Sequence, residues 1–446
     1  MTKGLARELV MEISRIKDDP EWMRQLRLQS LDIYNSTPLP AWGPDLSGLD
    51  LSQIETFVWP KNKIHDDWSQ VPPEIRDTFS RLGIPQAEEK FLAGVGAQLD
   101  SEMVYHRLQE MAAEQGVYYA DLESALHSDY ESMIREHFAT LIKPTDHKFA
   151  ALHTAVWSGG SFVYLPPGVS LTLPLQAYFR LNAKGAGQFE HTLIIVDQGA
   201  SLHFIEGCSA PRYNQVSLHA GSVELFVRPR GYLRYTTIEN WSRNMYNLNT
   251  KRAYVDDEGV IEWVSGSFGS CTTCLYPESI LAGDKAKSSY SGVTFAGTGQ
   301  CLDTGFKVQH LGRNTSSHVQ AKSIAKGGGV SVFRSSIWVG DQAANTKTSL
   351  ACHSLILDAH SRSDTIPAMV VNHPETDLGH EASVGRVSDE QLHYLQARGL
   401  TQQQALQLLV SGFVSDFTNQ LPLEYALEMN NLLNLELSPT SKEGQI

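Results

Sequence analysis

Three short stretches hold residue types that can do chemistry. Cys352 lies in Ala351-Cys352-His353, and Glu381 lies in Gly379-His380-Glu381-Ala382, 29 positions later (381 − 352). If the chain coils with a period near that spacing, a thiolate and a carboxylate one coil apart converge on one spot, a donor pair suited to iron. His380 adjoins Glu381, but neighbours on a strand face opposite sides, so it ranks below Glu381 as a ligand. Cys208 follows Glu206-Gly207 and precedes Ser209-Ala210-Pro211. On residue type alone it reads as a buried structural thiol. Cys271-Thr272-Thr273-Cys274 offers two ligands where a closed metal site needs four. Three residues apart on a strand, those two thiols point to opposite faces. Gly327-Gly328-Gly329 lacks the Lys-Ser or Lys-Thr ending of a phosphate loop, and no helix pattern follows it.

Whole-chain properties narrow the classes. The 446 residues carry a net charge of −14, which argues against a nucleic-acid surface. No apolar run reaches the length of a membrane span, and the first residues lack a signal-peptide core. The expectation is a cytoplasmic protein. Five cysteines, an odd count in a long chain, speak for reduced thiols rather than a disulfide framework.

The elements that must position these residues fall into three regions. Residues 1–147 read as helices and linkers: apolar spacing marks Leu5 to Ile16 and Glu21 to Tyr34, and further helices are expected at Pro73 to Leu82, Gln86 to Leu92 and Ser101 to Gln115. Thr37 to Pro44 is too rich in proline to be helical. Residues 148–387 change to short alternating runs such as Val223 to Val227 and Leu233 to Ile238. Glycine-marked turns at Gly199, Gly231, Gly259, Gly283, Gly312 and Gly340 recur at intervals of 32, 28, 24, 29 and 28. That period predicts a parallel β-helix with inward side chains stacked coil on coil. A β-sandwich would show more frequent and less regular turns. Residues 388–446 return to helix, opened by capping signatures at Ser388/Gln391 and Thr401/Gln404 and ending in a helix from Pro422 to Leu435. This module is expected to cap the solenoid or to dock a partner.

Several segments together resemble one family. They are Pro20 to Arg27, Pro40 to Leu46, Gly94 to Gln98, Ala155 to Ser161, Glu206 to Pro211, Glu239 to Ser242, Tyr246 to Leu248, Ser361 to Thr365 and Gly379 to Ala382. The chain is similar over nearly its whole length to the SufB/SufD family, scaffold subunits of the SUF iron–sulfur cluster assembly machinery, and its cysteine pattern favours the SufB branch. The resemblance implies a mainly β fold, a right-handed parallel β-helix with helical ends. It implies a non-catalytic scaffold that builds a transient iron–sulfur cluster and passes it on. Implied partners are the ABC-type ATPase SufC, SufD or a second copy of the chain, a cysteine desulfurase and a sulfur-transfer protein. By the same resemblance Cys208 accepts persulfide sulfur, Glu206, His219 and Thr237 line its path, and Cys352 with Glu381 holds the nascent cluster, His380 and a partner histidine adjoining. A reduced flavin is associated with the family's assembled complex, although the sequence carries no flavin motif.

Two other classes compete with this reading. A β-helix polysaccharide lyase or esterase would need paired carboxylates on neighbouring coils with a basic partner, and the cysteines would go unexplained. A purely structural adaptor for an ATPase would need none of Cys208, Cys352 and Glu381.

Overall fold

The computed structural model describes residues 5–59, 63–81, 84–211, 214–421 and 423–437. Its centre is a parallel β-solenoid of about eight turns over residues 162–386. The strand-period reading of this region is therefore correct. The first sheet runs, strand beside strand, through Leu175–Arg180, Ser201–Ser209, Tyr232–Trp241, Val260–Gly269, Lys287–Ala296, Ser316–Ala325, Thr346–Ile356 and Thr376–Arg386. The second runs through Ser161–Leu165, His191–Val196, Ser222–Val227, Thr250–Val255, Glu278–Leu281, Cys301–His310, Val330–Val339 and Arg362–Val371. Short strands Gly187–Gln188, Ser217–His219, Met245–Asn247 and Thr272–Leu275 form a third column in the early turns. It merges into the second sheet at Cys301–His310, which pairs with Thr272–Leu275 along one half and Glu278–Leu281 along the other.

Strand alternation builds the core. In the first sheet Leu202, Phe204, Leu233, Tyr235, Trp263, Tyr290, Val319 and Leu350 turn inward. Their neighbours Ile205, Ile238, Val264, Val293 and Ile324 turn outward into a second apolar cluster. The glycines at the turns answer crowding between successive coils. A Cβ on Gly283 would sit 2.0 Å from the Asp257 nitrogen, and one on Gly312 would sit 2.1 Å from the Gly283 carbonyl. The left-handed positions go instead to Arg230, Glu258, Lys285 and Asn314, with φ of 60°, 56°, 60° and 56°. Each donates its N–H to a carbonyl of the next turn.

The N-terminal region is less helical than its sequence suggests. Helices Arg7–Ile16, Glu21–Ser36, Pro73–Arg81 and Ile84–Phe91 occur near their expected places. The expected helix from Ser101 to Gln115 is instead the strand Glu102–Leu108 followed by a single helical turn, Glu110–Glu114. Asp100, at φ 54°, closes a hairpin that pairs this strand with Gly94–Leu99, and Met103, Val104 and Tyr105 are all buried. Gly94–Leu99 then pairs in parallel with Leu175–Arg180, so the first sheet starts before residue 148. Conversely, Lys148–Val156 is a helix in the stretch expected to be strand. Residues Phe149 to Val156 are all buried, so no polar face gives it a helical period.

The C-terminal helices are Asp389–Ala397, Gln402–Thr418 and Leu423–Leu437. Both capping boxes form as read, while the second helix runs past Gly412. Pro422 lies outside the described residues. Val410, Val414, Phe417, Met429 and Leu433 pack on the outward residues of the first sheet. Lys322 bonds to the Phe413 carbonyl and Asp416, and Arg243 pairs with Glu436 at 2.8 Å. The module thus covers a sheet face rather than the end of the solenoid. The last turn, Arg362–Val371 and Thr376–Arg386, is left half-buried or exposed throughout.

Candidate functional site

Cys208 points into the solenoid and is 1% exposed. Glu206 sits two residues back on the same inward face, its Oε1 4.0 Å from the thiol. Burial, reinforced by the charges of Glu206, Glu190 and Glu239, holds the Cys208 pKa well above the ordinary thiol range. Glu206 is itself anchored: Tyr235 donates to Oε2 at 2.5 Å and Lys251 donates to Oε1 at 2.9 Å. The Lys251 ammonium also donates to Thr237 Oγ1 at 3.1 Å and lies 3.5 Å from Glu239. Burial opposes charge on this fully buried lysine, but Glu206 and Glu239 outweigh it and raise its pKa.

His219 lies on the short-strand face of the same interior. It bonds Glu190 through Nε2 and Asn247 through Nδ1, the latter at 2.8 Å. Asn247 passes the connection to Glu239 at 2.7 Å. Burial lowers the His219 pKa, yet the Glu190 carboxylate more than offsets it and the net shift is upward. The Trp241 ring lies against the imidazole, centroids 4.5 Å apart. Around it, Gln188, Glu190 Oε2 and the Trp241 indole N–H are buried without hydrogen-bond partners among the described residues.

The structure thus brings Cys208, Glu206, Thr237 and His219 into one buried polar network. Sequence reasoning missed Lys251, Glu239, Glu190, Asn247 and Tyr235. Two of them left a signal. Lys251 occupies the inward phase of a strand whose next inward residues are Ala253 and Val255. Glu239 stands 31 positions after Cys208 (239 − 208), one coil of the solenoid.

Two inward columns run from this network toward the open end. Successive register partners of Glu206 are Thr237, Ser265, Gly292, Ala321, Cys352 and Ala382. Those of Cys208 are Glu239, Ser267, Thr294, Ser323 and Ser354, all buried and all polar. Cys352 is therefore five strands along from Glu206 on the same inward face, roughly 24 Å at about 4.8 Å per strand. It is 2% exposed, and burial pushes its thiol pKa up to about 12.

The expected stacking of Cys352 on Glu381 does not occur. Cys352 pairs with Ala382, Glu381 pairs with Ala351, and His380 pairs with Leu350. One rung here spans 30 residues (382 − 352), and the spacing of 29 falls one short of it. A one-residue slip moves a side chain to the other face. His380 therefore shares the inward face of Cys352, while Glu381 faces outward, which reverses their expected geometric ranking. Arg362, on the last strand of the second sheet, pairs with Asp364 at 2.7 Å. No cluster of three or more His, Cys, Asp or Glu residues among the described residues is arranged to hold a metal ion.

The remaining thiols lie apart from the interior. Cys271 and Cys274 pack against the cluster beneath the N-terminal helices, and burial pushes the Cys274 pKa up to about 12. The glycine run is a turn between strands. The Gly327 N–H bonds the Asp358 carboxylate and the Gly328 N–H bonds Ser361, so those amides are spent within the chain and do not fit a flavin phosphate.

Comparison with known proteins decides the family. A sequence model described as "SUF system FeS cluster assembly, SufBD core domain" matches residues 179–413, which is 235 of the 446 positions (413 − 179 + 1). The iron–sulfur cluster assembly protein SufB of Bacillus subtilis is 48% identical over 435 residues, covering 98% of this chain and 93% of the relative. The chain belongs to the SufBD family of iron–sulfur cluster assembly proteins. SufBD family proteins of Staphylococcus epidermidis and Staphylococcus aureus are 47% identical over the same share of each chain. The matched core begins at Phe179, the register partner of Cys208, and extends into the second C-terminal helix, so it contains both inward columns. Among the described residues no helix is long and apolar enough to cross a membrane.

Proposed function

We propose that this chain is a cytoplasmic, non-catalytic scaffold on which an iron–sulfur cluster is built from iron and persulfide sulfur. One observation carries the reading: two buried thiols, Cys208 and Cys352, face the same interior and are joined by stacked polar or small side chains. A β-helix polysaccharide lyase or esterase would have no use for that arrangement, and neither would a plain adaptor.

Sulfur enters at Cys208. Its thiolate attacks the outer sulfur of a carrier persulfide; the carrier's S–S bond breaks, a new one forms on Cys208, and the carrier leaves as a thiolate. The thiol must first give up its proton, and Glu206 is the carboxylate next to it. Lys251 then faces the persulfide anion from the same network. The unpartnered polar groups around His219 offer hydrogen bonds to a passing sulfur species.

The cluster forms at the open end. Cys352 supplies the thiolate, His380 lies diagonally across from it on the inward face, and Glu381 stands on the outward face of the terminal strand. Among the described residues both sheets end there in strands paired on one side only, which suits closure by SufD or a second copy of the chain. The ATPase SufC docks on the C-terminal helices, whose Leu408, Leu427 and Leu435 are 54%, 56% and 46% exposed. A cysteine desulfurase and a sulfur-transfer protein supply the persulfide. Reduced flavin belongs to the reading as an electron source of the complex and is not placed on this chain. The test is anaerobic reconstitution with iron and sulfide, read by thiolate-to-iron absorption bands. Bands in the wild type that vanish in Cys352→Ala support the scaffold; equal bands in both refute it.

A further inference from the structure

A crevice lies where the proline-rich N-terminal segment crosses the outer face of the second sheet. It encloses about 410 Å³, within the usual range for small-molecule sites. Trp42, His147 and Tyr276 form its aromatic wall. The Trp42 ring is tilted against Tyr276 and edge-on to His147, each at a centroid distance of 6.0 Å. Trp42 is 49% exposed, so much of its ring remains free for contact.

The polar lining is uneven. Arg252 is saturated, bonded to Glu278 at 2.6 Å and to Asp146 at 2.8 Å. Lys307 has no ion pair and no side-chain hydrogen bond among the described residues. Its ammonium rests 5.8 Å from the Trp42 ring centre and 5.6 Å from that of Tyr276. A lysine held only by aromatic rings, without a carboxylate partner among the described residues, is notable in a chain with 50 acidic and 36 basic residues. Asn249, also in the lining, is 3% exposed, and among the described residues neither its amide oxygen nor its amide nitrogen has a hydrogen-bond partner. A buried amide left unpaired costs stability unless something bonds to it. His147 stays neutral at physiological pH, because burial pushes its pKa down to about 4.

We propose that this crevice binds a planar heteroaromatic ligand with one anionic group, of the size and chemistry of a mononucleotide. The ring packs on Trp42 and Tyr276, the anionic group pairs with Lys307, and the polar ring edge takes up the free hydrogen-bonding capacity of Asn249. No phosphate loop is needed, because one lysine meets one anionic group. The site lies on the outside of the solenoid, and the proposal stands or falls independently of the scaffold reading.

The full-length protein is titrated with AMP and UMP, with adenosine and uridine as rings without the anion, and with inorganic phosphate as the anion without a ring. Saturation-transfer NMR detects contact, and calorimetry gives Kd. At least one nucleotide is expected to bind, with its nucleoside and inorganic phosphate at least tenfold weaker. Lys307→Gln and Trp42→Ala are each expected to weaken that binding at least tenfold at unchanged melting temperature, while Lys307→Arg retains it. The proposal is overturned if neither nucleotide binds at millimolar concentration, or if binding is the same in Lys307→Gln or Trp42→Ala as in the wild type.

Discussion

Cys208 and Glu239 occupy the same inward position on adjacent strands, one ladder step apart. The thiol therefore has a carboxylate beside it on its own strand, Glu206, and another on the next, with Lys251 reaching both. On the proposed reading, sulfur transfer to Cys208 depends on this setting. Cys208→Ser keeps the volume and leaves the network intact, so the fold should hold. After incubation with a desulfurase and carrier, mass spectrometry should find the added sulfur on the wild type and none at this position in the variant. Equal labelling of both proteins removes Cys208 from the role.

Lys251 is the cation that allows two carboxylates to share this interior. Lys251→Met leaves Glu206 and Glu239 without it, and stripping one member from a buried ion pair costs about 3–5 kcal/mol. The melting temperature should fall by many degrees. The triple variant Lys251→Met, Glu206→Gln, Glu239→Gln should recover much of that loss without recovering sulfur transfer. A single variant as stable as the wild type would mean that the network is not charged.

The two inward columns that run side by side from Cys208 and Glu206 toward Cys352 are built mainly of small or polar side chains. Ser267 stands between Glu239 and Thr294. Ser267→Leu should let persulfide accumulate at Cys208 while cluster content falls several-fold, at an overpacking cost of about 1–3 kcal/mol. Ser267→Ala, which removes only a hydroxyl, should be much milder. Cluster yield equal to the wild type in Ser267→Leu would place the sulfur path elsewhere.

The solenoid was legible because coil length repeats. Turn glycines recur where stacked backbones leave no room for a Cβ, as at Gly283 and Gly312. Cys208 and Cys352 were legible as residue types, and their shared inward phase follows from the ladder. The register at the terminal turn was not legible. Coil lengths along the Glu206 column vary from 27 (292 − 265) to 31 (352 − 321), so a spacing of 29 cannot decide which face Glu381 takes. The buried lysine left only its inward phase with Ala253 and Val255 as a signal, and that phase was masked because Lys251 stands between Thr250 and Arg252, where a polar run looks like an exposed edge. Only the three-dimensional neighbours, Glu206 and Glu239, explain its burial.

The C-terminal helices cannot be tested by removing them. Deletion after Arg386 would uncover Val264, Val293 and Ile324, which the helices cover, and would destabilise the solenoid. Point changes on the outer face are cleaner. Leu408→Glu and Leu427→Glu should reduce co-purification with the ATPase at least tenfold while the melting temperature stays within a few degrees. Undiminished co-purification by the pair of changes together would move the ATPase to another surface.

His219 makes stability depend on pH. Its folded pKa is raised above the ordinary 6.5, since Glu190 outweighs the effect of burial. The pair's contribution is therefore complete below the unfolded value and is lost as pH rises through the folded one. The difference in melting temperature between the wild type and His219→Gln should be largest near pH 5.5 and shrink above neutrality. A difference that grows with pH would show that the imidazole is neutral in the folded protein.

The terminal turn sets the order of effects at the proposed assembly site. Cys352→Ala should abolish cluster formation, because among the described residues it removes the only thiol on the inward face near the open end. His380 lies on that same face, two residues from Ala382, the register partner of Cys352. In the isolated chain, His380→Ala should therefore weaken iron binding more than Glu381→Ala does. Glu381 faces outward, where a partner docked on the open strands can meet it. Its loss should matter in the partnered complex, with cluster content there falling at least several-fold. Cys271→Ala and Cys274→Ala, whose thiols lie under the N-terminal helices, should be close to silent in both assays. Iron content of the purified chain and of the purified complex separates these outcomes. Normal clusters in Cys352→Ala, together with a loss in the Cys271 or Cys274 variants, would move the assembly site out of the solenoid interior.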